Sequence, residues 1–249
     1  MTTTAPATQH VWRVVKLHFV NRWTIIGVPG LVLTFILLVN VAIWAIIAAT
    51  SSGQDRVDAE QGLTYTGASF YIFVYMLIVA LQAINNTFPF ALGFGVTRRE
   101  FSFGTAIAFV LLAIGYGAAF TLLSYIEQWT GGWGLGGHMF TAIYFSDGPW
   151  FARLLVFSGA MVFFFFFGAC AASVFVRWRS NGLLVLGAAI AVVIVGLVAL
   201  ATFTSSWGVI GRWFLGAGPT GIVAWLLVPT AIAAVAGYFV LGRATPRSA

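Results

Sequence analysis

Six apolar runs divide the sequence, and each is about as long as a lipid bilayer is thick. Crossing the hydrocarbon core takes about 20 apolar residues in a helix, and within lipid only helices and closed barrels satisfy every backbone polar group. The runs are continuous and do not alternate with polar residues, which favours helices over barrel strands. With 61% hydrophobic residues, the chain is predicted to be an all-α membrane protein with one six-span domain over residues 23–241. The predicted spans are Trp23–Ala49, Phe70–Leu92, Phe103–Ile126, Trp150–Val176, Leu183–Phe203 and Ile222–Leu241.

Basic residues are distributed unevenly between the two sides of this predicted domain. When the N-terminus is placed inside, nine of the twelve Lys and Arg residues fall in inner segments. Short loops rich in Lys and Arg stay cytoplasmic, so we expect a multi-pass protein of the bacterial cell membrane with both termini in the cytoplasm. This topology accounts for the net charge of +6, and no nucleic-acid partner is expected. The nine residues are Arg13, Lys16, Arg22, Arg98, Arg99, Arg177, Arg179, Arg243 and Arg247.

The segments outside the spans are short. Residues 1–9 are polar and predicted to be disordered, and residues 242–249 form a cytoplasmic tail. Residues 10–22 predict an amphipathic helix at the inner membrane interface, with Trp12, Val15 and Phe19 on one face and Arg13 and Lys16 elsewhere. A simple cytosolic extension of the first span is the alternative.

Two outer segments have unusual compositions. Residues 204–221 are too apolar for a free loop and too short for a span, so they predict a short re-entrant segment before the sixth span, buried by protein. Residues 127–149 are rich in glycine and aromatic residues. Within them, Gly132–Gly137 matches the dinucleotide-binding pattern, but the strand and helix that this motif requires are missing. We therefore interpret this segment as a flexible loop.

The sequence carries no recognisable catalytic or metal-binding set. It has no Gly-x-x-x-x-Gly-Lys-Ser/Thr motif for ATP, and its histidines, at positions 10, 18 and 138, are too scattered for a metal site. No nucleophile with a base in reach is evident. The spans lack ionisable groups apart from edge residues such as Glu127 and Arg153. The chain is therefore expected to be no enzyme and to bind no cofactor or metal itself.

Polar and small residues inside the spans give two further signals. The amides of Gln82, Asn85 and Asn86, with Asn40 as a second polar site, either line a pathway or hydrogen-bond one helix to another, and the second role is the commoner. Small residues recur at a spacing of four, which allows close helix approach. Examples are Gly168 with Ala172 and Gly187 with Ala191.

A compact charged turn, Gly95-Val-Thr-Arg-Arg-Glu-Phe101, separates the second and third predicted spans. It holds three charges in a chain that is only 7% charged, and Thr97 is a suitable N-cap for a helix. Residues 85–105, Asn-Asn-Thr-Phe-Pro-Phe-Ala-Leu-Gly-Phe-Gly-Val-Thr-Arg-Arg-Glu-Phe-Ser-Phe-Gly-Thr, resemble the connection between the second and third spans of bacterial ABC transporter permeases of the type 2 exporter class. The layout of the whole chain is most similar to small actinobacterial six-span permeases of that class.

The resemblance implies a function for this turn. Residues 95–101 would form a short coupling helix that docks on a separate cytosolic ATPase, which would bind ATP and magnesium. Arg98, Arg99 and Glu100 would be its charged contacts, and Gly95 and Thr97 would shape and cap it. The interfacial helix, with Arg13 and Lys16, would be a second contact. A second copy or a sister permease would complete an exporter of an amphipathic or hydrophobic substrate, such as a lipid, drug or peptide, in the membrane lipid.

Other interpretations of the same features stay open. Arginines in a short inner loop also follow from the positive-inside rule, and Arg177 and Arg179 form such a pair without an acidic residue or a glycine-flanked aromatic context. The chain could instead be a substrate-capturing subunit of an importer. It could also be a membrane protein of assembly or regulation without transport.

Overall fold

The computed structural model describes residues 7–65, 67–145 and 148–244, and within those ranges the chain is helical without strands. A π-helical turn at Trp23–Gly27 leads into α2, a 3-10 turn at Ala68–Phe70 leads into α4, and a tight glycine-rich turn at Gly132–Gly136 follows α5. The α-helices are α1 (Ala7–His18), α2 (Val28–Thr50), α3 (Gln54–Leu63), α4 (Tyr71–Gly93), α5 (Arg98–Trp129), α6 (Trp150–Phe203) and α7 (Trp207–Gly242).

Within the described part of the chain, five helical segments are long and apolar enough to cross a membrane. They confirm the predicted class, an all-helical chain with the character of a membrane protein. The segments are Trp23–Thr50, Gln61–Gly93, Arg98–Trp129, Trp150–Phe203 and Trp207–Gly242.

The longest helix, α6, is interrupted at Arg179. Its backbone there has φ 59° and ψ −150°, which is not helical. A Cβ atom placed on Gly182 would lie 3.0 Å from Cγ1 of Val174, although eight residues of straight helix extend about 12 Å. The chain therefore reverses direction at Arg179, and the two parts of α6 fold back on each other at this point.

Helix α7 is interrupted in the same way at Gly218, where φ is 61° and ψ is 179°. The rings of Trp213 and Trp225, on the two sides of this break, are 5.8 Å apart, whereas twelve residues of straight helix extend about 18 Å. The segment Trp207–Ala217 therefore folds back beside the longer part of α7 that follows Pro219.

An aromatic core holds α4, α5 and the first part of α6 together. Phe109 of α5 stacks on Phe165 of α6 at 5.0 Å, and Phe120 meets Phe73 of α4 and Phe157 of α6 edge-on. Such aromatic pairs add to the free energy gained from burying their large side chains. The second part of α6, by contrast, is largely exposed within one chain.

The N-terminal helix begins and ends earlier than predicted. Helix α1 covers Ala7–His18 rather than residues 10–22, so it includes residues 7–9. A turn follows at residues 19–21, and the Asn21 side chain accepts the N–H of Thr24 at the start of the next helix. This hydrogen bond satisfies one of the free N–H groups at the start of the next helix. Residues 1–6 and 245–249, including most of the predicted tail, lie outside the described residues.

Candidate functional site

The turn between α4 and α5 has a defined local geometry that follows from its sequence. Gly95 has φ +80°, a left-handed conformation that glycine adopts without strain. Its N–H donates to the Leu92 carbonyl at 3.0 Å, and the N–H of Val96 donates to the Ala91 carbonyl at 3.2 Å. This is the Schellman pattern, which satisfies the last carbonyls of a helix. Val96 is then buried, and the chain turns directly into α5.

Thr97 is the N-cap of α5, as predicted. Its side-chain oxygen accepts the N–H of Glu100 at 3.2 Å, and the Glu100 carboxylate accepts the N–H of Thr97 at 2.8 Å, which forms a capping box. The expectation of a separate short coupling helix was wrong. Arg98 is the first residue of α5, and no break follows the cap before Trp129. The charged residues are thus the first turn of a long, rigid helix.

Two of the three predicted contact charges bind within the chain. Glu100 pairs with Nδ1 of His10 on α1 at 3.3 Å. Arg98 donates from Nη1 to the carbonyl of Gly242 at the end of α7, at 2.8 Å. These contacts tie α1, α5 and α7 together at one end of the bundle, which we call the α1 end. Arg99 is exposed, with its guanidinium 5.7 Å from the Phe103 ring.

The α1 end also presents other exposed side chains, both aromatic and basic. Phe94 is 73% exposed, and its ring lies 4.6 Å from that of Phe90, which is also exposed. Arg13 and Lys16 are exposed on α1, and a groove of about 210 Å³ separates α1 from the turn. We call the exposed residues Arg13, Lys16, Phe90, Phe94 and Arg99 the mixed surface of the α1 end.

Helix α1 packs on α5 through Val14, Val15 and His18, a contact that the sequence did not predict. Val14, Val15 and His18 are buried, whereas Trp12 and Phe19, expected beside Val15, are exposed. Gly104 of α5 makes the close approach possible, because a Cβ atom there would lie 2.6 Å from Cβ of Val14. The interfacial position predicted for this helix stays a prediction, and Gly104 explains how the Val14 face of α1 can approach α5 so closely.

His18 makes the attachment of α1 sensitive to pH. Its Nε2 lies 2.9 Å from Oγ1 of Thr105, its ring packs against Phe101 and Phe109, and burial lowers its pKa from 6.5 to about 4. Above pH 6.5 the imidazole is neutral in both the folded and unfolded states, so its contribution to stability is complete. Below pH 6.5 the unfolded chain binds the proton first, and stability is lost until the pH reaches about 4.

We therefore expect roughly 3 kcal/mol of folding free energy to disappear between pH 6.5 and 4. Thermal unfolding of the purified protein in detergent, followed across this range, measures the loss. His18→Phe removes the titrating group, so its melting temperature should fall less steeply with pH. Equal slopes for the variant and the original protein would contradict this role of His18.

Among the described residues, no hydrogen bond is seen from the four polar residues predicted inside the spans to another helix. Gln82 and Asn86 are exposed on the outside of α4. Asn40 donates to the Ile36 carbonyl of its own helix at 2.8 Å. The side-chain oxygen of Asn85 is buried without a hydrogen-bond partner among the described residues. Whether the four residues line a pathway or bond to another helix stays a prediction.

At the other end of the bundle, Glu127 organises a loop that the sequence led us to interpret as flexible. The Glu127 carboxylate is only 1% exposed and accepts the backbone N–H groups of Met139, Phe140 and Thr141 at 2.9–3.2 Å. The Thr141 hydroxyl and the Trp133 indole N–H also donate to it, at 2.6 and 2.9 Å. The flexible-loop interpretation was wrong, because a buried carboxylate needs such donors and holds them in place.

Arg153, the other edge residue, is also built into this end. Its Nη1 donates to Oγ of Ser124 at 2.9 Å, its Nε donates to the Gly148 carbonyl at 2.9 Å, and its guanidinium lies 4.4 Å from the Tyr125 ring. In the sequence, Glu127 and Arg153 stand out as an acidic and a basic residue at facing span ends, next to a glycine-rich segment. That pattern could have indicated their structural role, but none was predicted for them.

Comparisons of the chain with protein-family models, with curated proteins and with solved structures found no match.

Proposed function

We propose that this chain is the membrane permease subunit of an ATP-driven exporter of the type 2 ABC class. A separate cytosolic ATPase would dock on the mixed surface of the α1 end and supply the energy. The observation that carries the proposal is the joint exposure of Phe94, Arg99 and the basic residues of α1 at the start of a long helix that reaches the other end of the bundle. A force applied to this surface would act directly on a transmembrane element.

The proposed membrane domain has six spans and a re-entrant segment. Helix α6 is 54 residues long, roughly 80 Å if straight, whereas a bilayer core is about 30 Å thick. The reversal at Arg179 therefore supports two spans within α6. The reversal at Gly218 supports a short segment, Trp207–Ala217, that enters and leaves the outer side before the last span. The distribution of basic residues then supports a cytoplasmic α1 end in the bacterial cell membrane.

A second copy, or a sister permease, is part of the same proposal. The second part of α6 is exposed and apolar, and Gln82 and Asn86 are exposed on α4. Amide side chains gain hydrogen bonds when such surfaces meet another helix or line a pathway, rather than facing lipid alone. The substrate class, an amphipathic or hydrophobic molecule, follows from the type of transporter proposed.

The test is co-purification of an ATPase with the tagged chain from its native bacterium, followed by partner identification and an assay of ATP hydrolysis. The paired substitution Phe94→Ala with Arg99→Glu should reduce the captured ATPase about tenfold or more, because exposed aromatic and arginine residues are typical hot spots of interfaces. Arg98 is left unchanged because it also binds the end of α7.

Arg177→Glu is the matched control, since Arg177 belongs to the other short basic turn of the chain. It should leave the amount of captured ATPase unchanged. Retention of the ATPase by the Phe94 and Arg99 variant, at a normal level of folded protein, would refute the coupling role.

A further inference from the structure

An apolar crevice opens between α5 and α7 at the α1 end. It has a volume of about 480 Å³, with α6 at its back. Phe103 and Ala106 line it from α5, and Ala234 and Tyr238 line it from α7. Phe103 and Tyr238 are exposed, and their rings are 6.2 Å apart. Both helices are long and apolar enough to cross a membrane.

A basic pocket lies next to this crevice. It has a volume of about 320 Å³, is lined by Arg98, Arg99 and Arg243, and shares Ser102 and Tyr238 with the crevice. Arg98 uses one N–H for the Gly242 carbonyl, and a guanidinium has five. No acidic side chain lines the pocket among the described residues.

The acidic residue nearest in sequence is occupied elsewhere. Glu100 is held by Thr97 and His10 on the α1 side of α5. The positive charge of the three arginines is therefore not neutralised within the described part of the chain.

We propose that this combined site binds one anionic phospholipid. Its phosphate would bind the arginines, which match phosphate oxygens in charge and geometry, and one acyl chain would lie in the crevice. Basic pockets between membrane helices are suited to anionic headgroups. A soluble phosphate would leave the apolar crevice unused, and a zwitterionic lipid would leave the positive charge uncompensated. The site would hold α5 and α7 together, at the helix end where the proposed ATPase acts.

The experiment uses the isolated full-length chain in detergent, so its result does not depend on any ATPase. Native mass spectrometry measures the binding of phosphatidylglycerol and of phosphatidylcholine with the same acyl chains. We expect one phosphatidylglycerol to bind about tenfold more tightly than phosphatidylcholine. Arg99→Gln with Arg243→Gln should remove this preference, whereas Arg177→Gln should retain it. Equal binding of both lipids, or an unchanged preference in the double variant, would overturn the proposal.

Two further measurements test whether the ligand is a lipid or a soluble phosphate. Ala106→Phe should fill the crevice and weaken phosphatidylglycerol binding about tenfold, and the smaller change Ala234→Leu serves if that variant does not fold. Glycerol phosphate, which carries the headgroup chemistry without acyl chains, should not displace the lipid at millimolar concentration. Displacement by glycerol phosphate, or normal lipid binding when the crevice is filled, would overturn the assignment to a lipid.

Discussion

Glu127→Ala is expected to abolish accumulation of the folded protein. The substitution removes the shared acceptor of three backbone N–H groups, one hydroxyl and one indole N–H. Each buried donor left without a partner costs about 1–3 kcal/mol, so the combined loss is about 5 kcal/mol or more. That loss is comparable to the entire free energy of unfolding of many proteins.

The measurement is the yield of monodisperse protein and its melting temperature in detergent, by fluorescence-detected size exclusion. Gln128→Ala, at the exposed neighbouring position, should leave both unchanged. Glu127→Gln should have a yield and a melting temperature between those of Glu127→Ala and Gln128→Ala. The reason is that an amide keeps one acceptor oxygen but turns its NH₂ group toward other donors. A Glu127→Ala protein with a normal yield and melting temperature would show that the loop does not depend on this carboxylate.

The loss of stability in Glu127→Ala should extend beyond the loop, because the loop contacts several helices. Gly137 packs directly against the ring of Trp44, a residue of α2 that is only 2% exposed. The carbonyl of Met139 accepts the hydroxyl of Ser69, just before α4, at 2.6 Å. Releasing Glu127 would therefore loosen α2 and α4 at this end as well.

Gly168→Leu is expected to cost about 3 kcal/mol or more, because it forces extra volume into a closed contact. A Cβ atom on Gly168 would collide with the backbone carbonyl oxygen of Leu77 and would lie 3.1 Å from Cβ of Ala80. A carbonyl oxygen on α4 cannot rotate away as a side chain can. Helices α4 and α6 would have to separate, which opens the aromatic core.

Gly187→Leu is the matched control, since the sequence places Gly168 and Gly187 in equivalent patterns of small residues. Nothing lies within 4 Å of a Cβ atom placed on Gly187, so the variant should unfold at the same temperature as the original protein or slightly higher. Thermal unfolding of both variants in detergent compares them directly. Equal losses for the two variants would mean that the α4–α6 contact at Gly168 is not close-packed.

The α4–α5 turn shows which features could be predicted from residues that are close together in the sequence. Thr97 was predicted as an N-cap and is one, because a cap depends on groups three residues apart. Its partners beyond the turn were not foreseen. The hydrogen bond from Arg98 to Gly242 and the contact of Glu100 with His10 join residues that are 144 and 90 positions apart. No local pattern indicates such pairs.

The sequence by itself determined that the chain forms long apolar helices of membrane type. Continuous runs of apolar residues allow few other structures, since backbone groups in lipid must bond within their own segment. Tertiary structure alone decided which face of α1 is buried, which of two similar glycines is close-packed, and that the loop after α5 is ordered around Glu127. These outcomes depend on close packing and on buried polar groups finding partners far away in the chain.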